Sequence, residues 1–169
     1  MTHQMDTCRK PRQVLLYSPN KASFLMTQQQ CLPNGELVLR TLAMPADTNA
    51  NGDIFGGWLM SQMDIGGAIL AKEIALGRVV TVSVNGISFL KPVAVGDVVC
   101  CYARCLKTGN SSITIHIEVW VKKVASEPVG QRYRATEAVF TYVAVDENNS
   151  SRPLPEDKRH FKLESSSSE

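Results

Sequence analysis

Between Gly56 and Ala75 the chain places apolar residues on nearly every side of a helix: Trp58, Leu59, Met60, Met63, Ile65, Ala68, Ile69, Leu70, Ala71 and Ile74. A helix without a polar face must be buried. It is not a membrane span, because Asp64, Lys72, Glu73 and four glycines interrupt the run 54–76. Gly66 and Gly67 fall at its centre, where each costs roughly 1 kcal/mol against alanine. That cost makes sense only where another element packs against the helix backbone. Gly77 is expected to stop the helix.

The rest of the chain reads as strands. Leu37, Leu39 and Leu42 predict one over 36–44, ended by Pro45. After the helix, 79–90 alternates, with Val80, Val82 and Val84 on one face and Thr81, Ser83 and Asn85 on the other. Gly86 predicts a bulge or a close approach there. Segments 97–106, 111–124 and 132–145 follow, and in the second of these Ile113, Ile115, Ile117, Val119 and Val121 share a face. Lys107-Thr108-Gly109-Asn110 is a turn of hairpin length. One strand, one buried helix and four long strands predict an α+β domain with an antiparallel sheet over residues 36–146. One helix cannot cover so much apolar strand surface, so a partner subunit is expected.

The flanks differ from this domain. Residues 1–35 carry Pro11, Pro19, Pro33 and the run Gln28-Gln29-Gln30, and read as an irregular extension without a signal-type apolar core. Residues 147–169 turn polar, end in four serines and a glutamate, and are expected to be a disordered tail. A net charge of +2 gives no ground for a nucleic-acid partner. Five cysteines at irregular spacing fit reduced thiols and a cytoplasmic protein better than disulfides. With no Cys-x-x-Cys and three scattered histidines, no metal site is expected.

The chemistry concentrates in Asn49-Ala50-Asn51-Gly52-Asp53-Ile54-Phe55-Gly56-Gly57. A carboxylate just ahead of a helix is most often an N-cap. Here Gly56 and Gly57 strip side chains from the first turn, so a substrate oxygen can reach free backbone N–H groups. The chain has no Gly-x-Ser-x-Gly, and no histidine lies near this loop, which disfavours a serine triad. Asp53 alone would then serve as base or nucleophile, with helix N–H groups as the oxyanion hole. A leaving group that needs no protonation suits such a site. A thiolate qualifies, since thiols ionise near pH 8.5, about two decades below a lysine amine.

Asp64 is the second acid, read either as a hydrogen-bond partner of a neighbouring strand or as an accessory catalytic group. It lies about 16 Å along the helix from Asp53 and cannot act with it inside one subunit. His116 alternates with core isoleucines near Glu118 and reads as a satisfied structural histidine. Cys100, Cys101 and Cys105 read as small core residues. Lys91, Lys122 and Arg132, with Thr108, Gly109, Ser111 and Ser112, are either solvated surface or a groove for the phosphates of a nucleotide-bearing substrate.

Several long motifs carry a family resemblance. Leu37–Pro45, the Asn49–Gly57 loop, Trp58–Asp64, Pro92–Asp97 and Gly130–Tyr133 resemble, in order, the bacterial YciA-type acyl-CoA thioester hydrolases. The resemblance runs from about Gly35 to Pro155. It implies a hotdog fold, a long central helix wrapped by an antiparallel sheet, assembled as dimers and trimers of dimers. It implies acyl-CoA as substrate, no cofactor, Asp53 as the catalytic acid, oxyanion donors at Gly56 and Gly57, and an acidic helix position at Asp64. Coenzyme A would lie along a dimer interface, contacted by Asn49, Lys91, Thr108, Gly109, Ser111, Ser112, Lys122 and Arg132. A non-catalytic acyl-CoA-binding module and a hotdog dehydratase are the alternatives. The dehydratase usually needs a histidine beside an acid.

Overall fold

The alternating segments do form a sheet, in a computed structural model that describes residues 32–163. Most of the expected N-terminal extension, Cys8, Cys31 and the last six residues lie outside that range. Five strands, β1 (Glu36–Leu42), β2 (Val79–Phe89), β3 (Val98–Thr108), β4 (Ser112–Lys122) and β5 (Arg132–Ala144), form one sheet in the order β1-β3-β4-β5-β2, every pairing antiparallel. The helix α1 (Gly56–Ala75) lies across one face.

The centre of β4 carries the core. Ile113, Ile115, Ile117, Val119 and Val121 are fully buried, beside Phe140 and Tyr142 of β5 and Met63 of α1. The expected close approach to the helix glycines is present. A Cβ on Gly67 would collide with the Tyr142 hydroxyl and come within 2.5 Å of Ile117 Cδ1, while one on Gly66 would lie 3.0 Å from Val38 Cγ2.

Three local readings need correction. The helix is ended not by Gly77 but by Leu76, which takes the left-handed conformation at φ 50°. Gly77 instead makes room for Arg152, whose Nη2 donates to the last-turn carbonyl of Ala75 at 2.9 Å.

Second, β2 does not keep one alternation. Its register with β5 shifts between Thr81 and Ser83 and again between Asn85 and Ser88. The first bulge puts Thr81 and Val84, which oppose Tyr142 and Phe140, on the same helix-facing side, so the three valines do not share a face. Gly86, at φ +64° with open space around it, belongs to the second bulge and not to a close approach.

Third, residues 147–163 are not a disordered tail. Leu154 is buried, the Leu154 N–H donates to Asn110 O, and Leu163 N–H donates to Leu106 O. A bridge between Lys107 and Lys162 lines this segment along the end of β3, beyond the reach of β1. One buried leucine and one arginine cap are enough to anchor a stretch whose composition alone reads as solvent-loving.

Candidate active site at the start of the helix

The loop before α1 is tied at both ends and at its middle. Phe55 N–H donates to Asp47 O at 3.0 Å and Ile54 N–H to Val93 O at 3.3 Å, which closes the stem. Inside it, Asn49 Oδ1 accepts from the N–H groups of Asn51 (2.9 Å) and Asp53 (3.1 Å). Asn49 N–H donates to Asp53 O at 2.8 Å, and Gly52 takes φ +84°. The asparagine side chain thus replaces backbone partners the loop lacks, a common use of Asx residues in turns. Ile54 is buried beneath and fixes the loop to the core.

Asp53 is not the helix cap. Phe55 occupies the N-cap position, and no side chain caps the helix. The Asp53 carboxylate is exposed and accepts no hydrogen bond or ion pair from the described residues. The first intrahelical bond is Leu59 N–H to Phe55 O at 3.2 Å. The N–H groups of Gly56, Gly57 and Trp58 precede it and are the orphan donors of the first turn. Uncapped donors at the positive end of the dipole favour a developing negative charge.

The two glycines do different work. A Cβ on Gly57 would meet open space, whereas one on Gly56 would lie 3.0–3.4 Å from the ring of Phe89. Phe89 was not expected here, and its sign in the sequence was only an aromatic at a strand end. Beside this turn lies a cavity of about 350 Å³, lined by Ile54, Gly56, Leu59, Phe89, Leu90, Lys91, Pro92 and Val93.

The expected binding residues fall into two groups. Lys91 borders the cavity, its ammonium 5.6 Å from the centre of the Tyr133 ring, and the Tyr133 hydroxyl donates to Pro92 O at 2.9 Å. Lys122 and Arg132 oppose each other at the same end of the sheet. Thr108, Gly109, Ser111 and Ser112 sit at the other end, where Ala144 N–H donates to Ser111 O and Val145 N–H to Arg78 O. A helix of 20 residues, about 30 Å, separates the ends. The Thr108 hydroxyl is buried and already donates to Lys158 O (2.6 Å) while accepting from Phe161 N–H (2.9 Å).

Asp64 is engaged within its own protomer. Its Oδ1 accepts from Thr81 Oγ1 at 2.6 Å, and the Tyr142 hydroxyl donates to its backbone carbonyl at 3.1 Å. The strand-bonded reading of this acid is therefore the one the geometry displays. Burial, helped by the nearby Asp64 charge, pushes the Tyr142 phenol far up, so it stays protonated.

A separate polar cluster lies on the sheet face away from α1. His116 Nε2 is 3.3 Å from Glu137 Oε2, Arg134 Nη1 is 2.8 Å from the same oxygen, and Trp120 Nε1 donates to Glu118 at 2.7 Å. His116, Glu118 and Glu137 could together approach a cation. However, Arg134 already neutralises Glu137, and Arg104 opposes His116 across the ladder. The histidine is satisfied at one nitrogen only, since Nδ1 is buried without a partner. Cys101 is fully buried and Cys100 nearly so, in line with their reading as core residues. Among the described residues no helix is long and apolar enough to cross a membrane.

Known proteins match this arrangement. Residues 51–127 match the family model described as the thioesterase superfamily. The acyl-CoA thioester hydrolase YciA of Salmonella typhimurium is 79% identical over 130 residues, spanning 77% of this chain and 98% of its own. The hexameric thioesterase y2039 of Yersinia pestis is 86% identical with a TM-score of 0.71, over 73% of this chain and 99% of that one. Cj0915, a hexameric hotdog-fold thioesterase of Campylobacter jejuni, is 41% identical with a TM-score of 0.70, over 73% and 93%. Sequence identity of this level over nearly the whole length of the relatives, on the same helix-and-sheet frame, places the chain in the YciA family of hotdog-fold acyl-CoA thioester hydrolases.

Proposed function

We propose that the protein hydrolyses acyl-CoA thioesters to a carboxylic acid and free coenzyme A, with Asp53 as the acid–base or nucleophilic group. The observation that carries this reading is an exposed carboxylate, without a partner among the described residues, three residues ahead of an uncapped helix start. The thioester carbonyl oxygen binds at the N–H groups of Gly56 and Gly57. Water, activated by Asp53, or Asp53 itself adds to the carbonyl carbon, and the charge on oxygen is held by those donors. The carbon–sulfur bond then breaks and coenzyme A leaves as the thiolate; on the nucleophilic route water then cleaves the acyl–Asp53 anhydride, which frees the carboxylic acid and restores Asp53. A leaving group of this acidity explains why the site needs no histidine beside the loop.

The coenzyme lies across two subunits in this reading. Lys91, Lys122 and Arg132 serve from one protomer. Gly109, Ser111 and Ser112, a helix length away, serve only from a partner. A pairing of two copies through β2 would bring these two ends together, and β2 is a sheet edge that exposes Val80 and Val82. Two of the relatives are hexameric, which fits a trimer of such dimers.

Thiol release over a panel of acyl-CoA esters tests the activity. Asp53→Ala should lower turnover about 10²-fold or more while leaving the assembly intact, in the range removal of an acid–base group costs. Near-normal turnover of that variant would remove Asp53 from the mechanism. Binding of the esters without release by the unaltered protein would favour a binding module.

A further inference from the structure

We propose that Phe89 is the specificity-determining residue for the acyl chain, forming the aromatic wall of a slot that opens beside the oxyanion turn. The inference rests on the thioesterase reading and concerns a residue that reading leaves without a role.

Its geometry is set by Gly56. The Phe89 ring lies where a side chain on Gly56 would begin, so it seals that flank of the first turn. Gly57, one residue on, faces open space, so a carbonyl oxygen reaches the free N–H groups from that side. A thioester bound there has its acyl chain and its sulfur pointing in different directions. On the sealed side the neighbouring surface is apolar, made by Ile54, Leu59, Leu90 and Val93 together with Phe89. The only cation among the lining residues is Lys91, whose ammonium is held over Tyr133. A cavity of about 350 Å³ is at the small end of ligand sites. Its apolar side chains suit a hydrocarbon chain better than the charged nucleotide half of coenzyme A.

Phe89 is also placed to yield. It is the last residue of β2, just beyond the bulge between Asn85 and Ser88, and its side chain is 53% exposed. Its backbone is tied to β5 opposite Thr136, whose hydroxyl donates to Ser88 O at 2.7 Å. The strand end is fixed while the ring lies against the helix at Gly56, a residue without a side chain. Side-chain size at position 89 therefore sets slot depth without disturbing the fold.

The test compares Phe89→Ala, Phe89→Leu and the unaltered protein in thiol-release assays on straight-chain acyl-CoA esters from acetyl to decanoyl. Differences of one to a few methylenes in an apolar pocket are worth about tenfold or more in kcat/KM. Phe89→Ala should raise the long-to-short ratio of kcat/KM by about tenfold, chiefly through KM, with Phe89→Leu in between. An unchanged ratio in correctly assembled variants overturns the inference, as does a uniform loss on all chain lengths. If the unaltered protein releases thiol from no ester, the thioesterase reading falls first and takes the inference with it.

Discussion

Asn49 shows how one side chain prepares a catalytic loop. Its side-chain oxygen makes two hydrogen bonds, accepting from the N–H groups of Asn51 and Asp53, which add to the loop's own backbone bonds. Replacing it with alanine removes both bonds and frees the segment that carries the Asp53 carboxylate. Small displacements of a reacting group cost rate steeply. Asn49→Ala is therefore expected to lower kcat about tenfold or more while unfolding midpoints in urea change little. A fully active but destabilised variant would show that Asn49 is structural only. His116 yields a second residue-scale expectation. Burial, with Arg104 opposite, lowers its pKa below the usual histidine value, despite Glu118 and Glu137. Below about pH 6.5 the unfolded chain binds a proton the folded one resists, so stability falls as pH drops toward the depressed value. Above the unfolded pKa the contribution is constant. His116→Gln should flatten the melting-temperature slope between pH 7.5 and 5.5, and an unaltered slope would assign it to other groups.

At the scale of elements, the helix and β4 were readable because each obeys one period throughout. The helix was expected to be buried all round, but in the protomer only one face is, through Leu59, Met63, Gly66, Gly67, Ala71 and Ala75, whereas the five alternating apolar residues of β4 are all buried. The β2 strand was misread because two bulges break its register, and a period-2 pattern keeps no memory of an inserted residue. The C-terminal segment was misread because its anchoring rests on single contacts, Leu154 in the core and Arg152 on the helix end, that no periodicity announces. The loop motif singled out Asp53 as a candidate, but nothing in it pointed to the contact of Phe89 with the helix start, which depends on which strand end meets Gly56. The helix glycines give this scale its measurement. A methyl at position 67 would meet the Tyr142 hydroxyl and Ile117, both fully buried, whereas at position 66 it would meet a valine methyl that can shift. Gly67→Ala should destabilise by about 1–3 kcal/mol, the usual cost of overpacking. Gly66→Ala should cost less, because the propensity gain of roughly 1 kcal/mol common to both positions meets a milder clash there. Equal urea midpoints for the two variants would contradict the packing described here.

For the whole molecule, the decisive fact is that α1 is apolar on more sides than one sheet can cover. Met63, Ala71 and Ala75 are fully buried, yet Ile65 and Ile69, one turn apart, are 51% and 41% exposed in the single protomer. On the helix wheel they point away from the sheet, and the bulged β2 edge separately exposes Val82, at 55%. Exposed branched side chains and an unpaired strand edge are each a liability unless something covers them. In the proposed dimer a second copy would do so, with the same residues from both sides as a two-fold interface requires. The same proposed pairing would bring the expected coenzyme-binding groups at the far end of the sheet toward the partner's Asp53 loop. Ile65→Lys tests both points, because it places a charge in the interface while replacing a side chain the protomer itself hardly buries. The variant should keep its far-ultraviolet circular dichroism, sediment as a smaller species than the unaltered protein, and release thiol from acyl-CoA at least tenfold more slowly at low protein concentration. The slow rate should recover as concentration rises and dimers reform by mass action. An Ile65→Lys protein that sediments like the unaltered one would show that the apolar side of α1 is covered in some other way, and that each protomer must complete its own site.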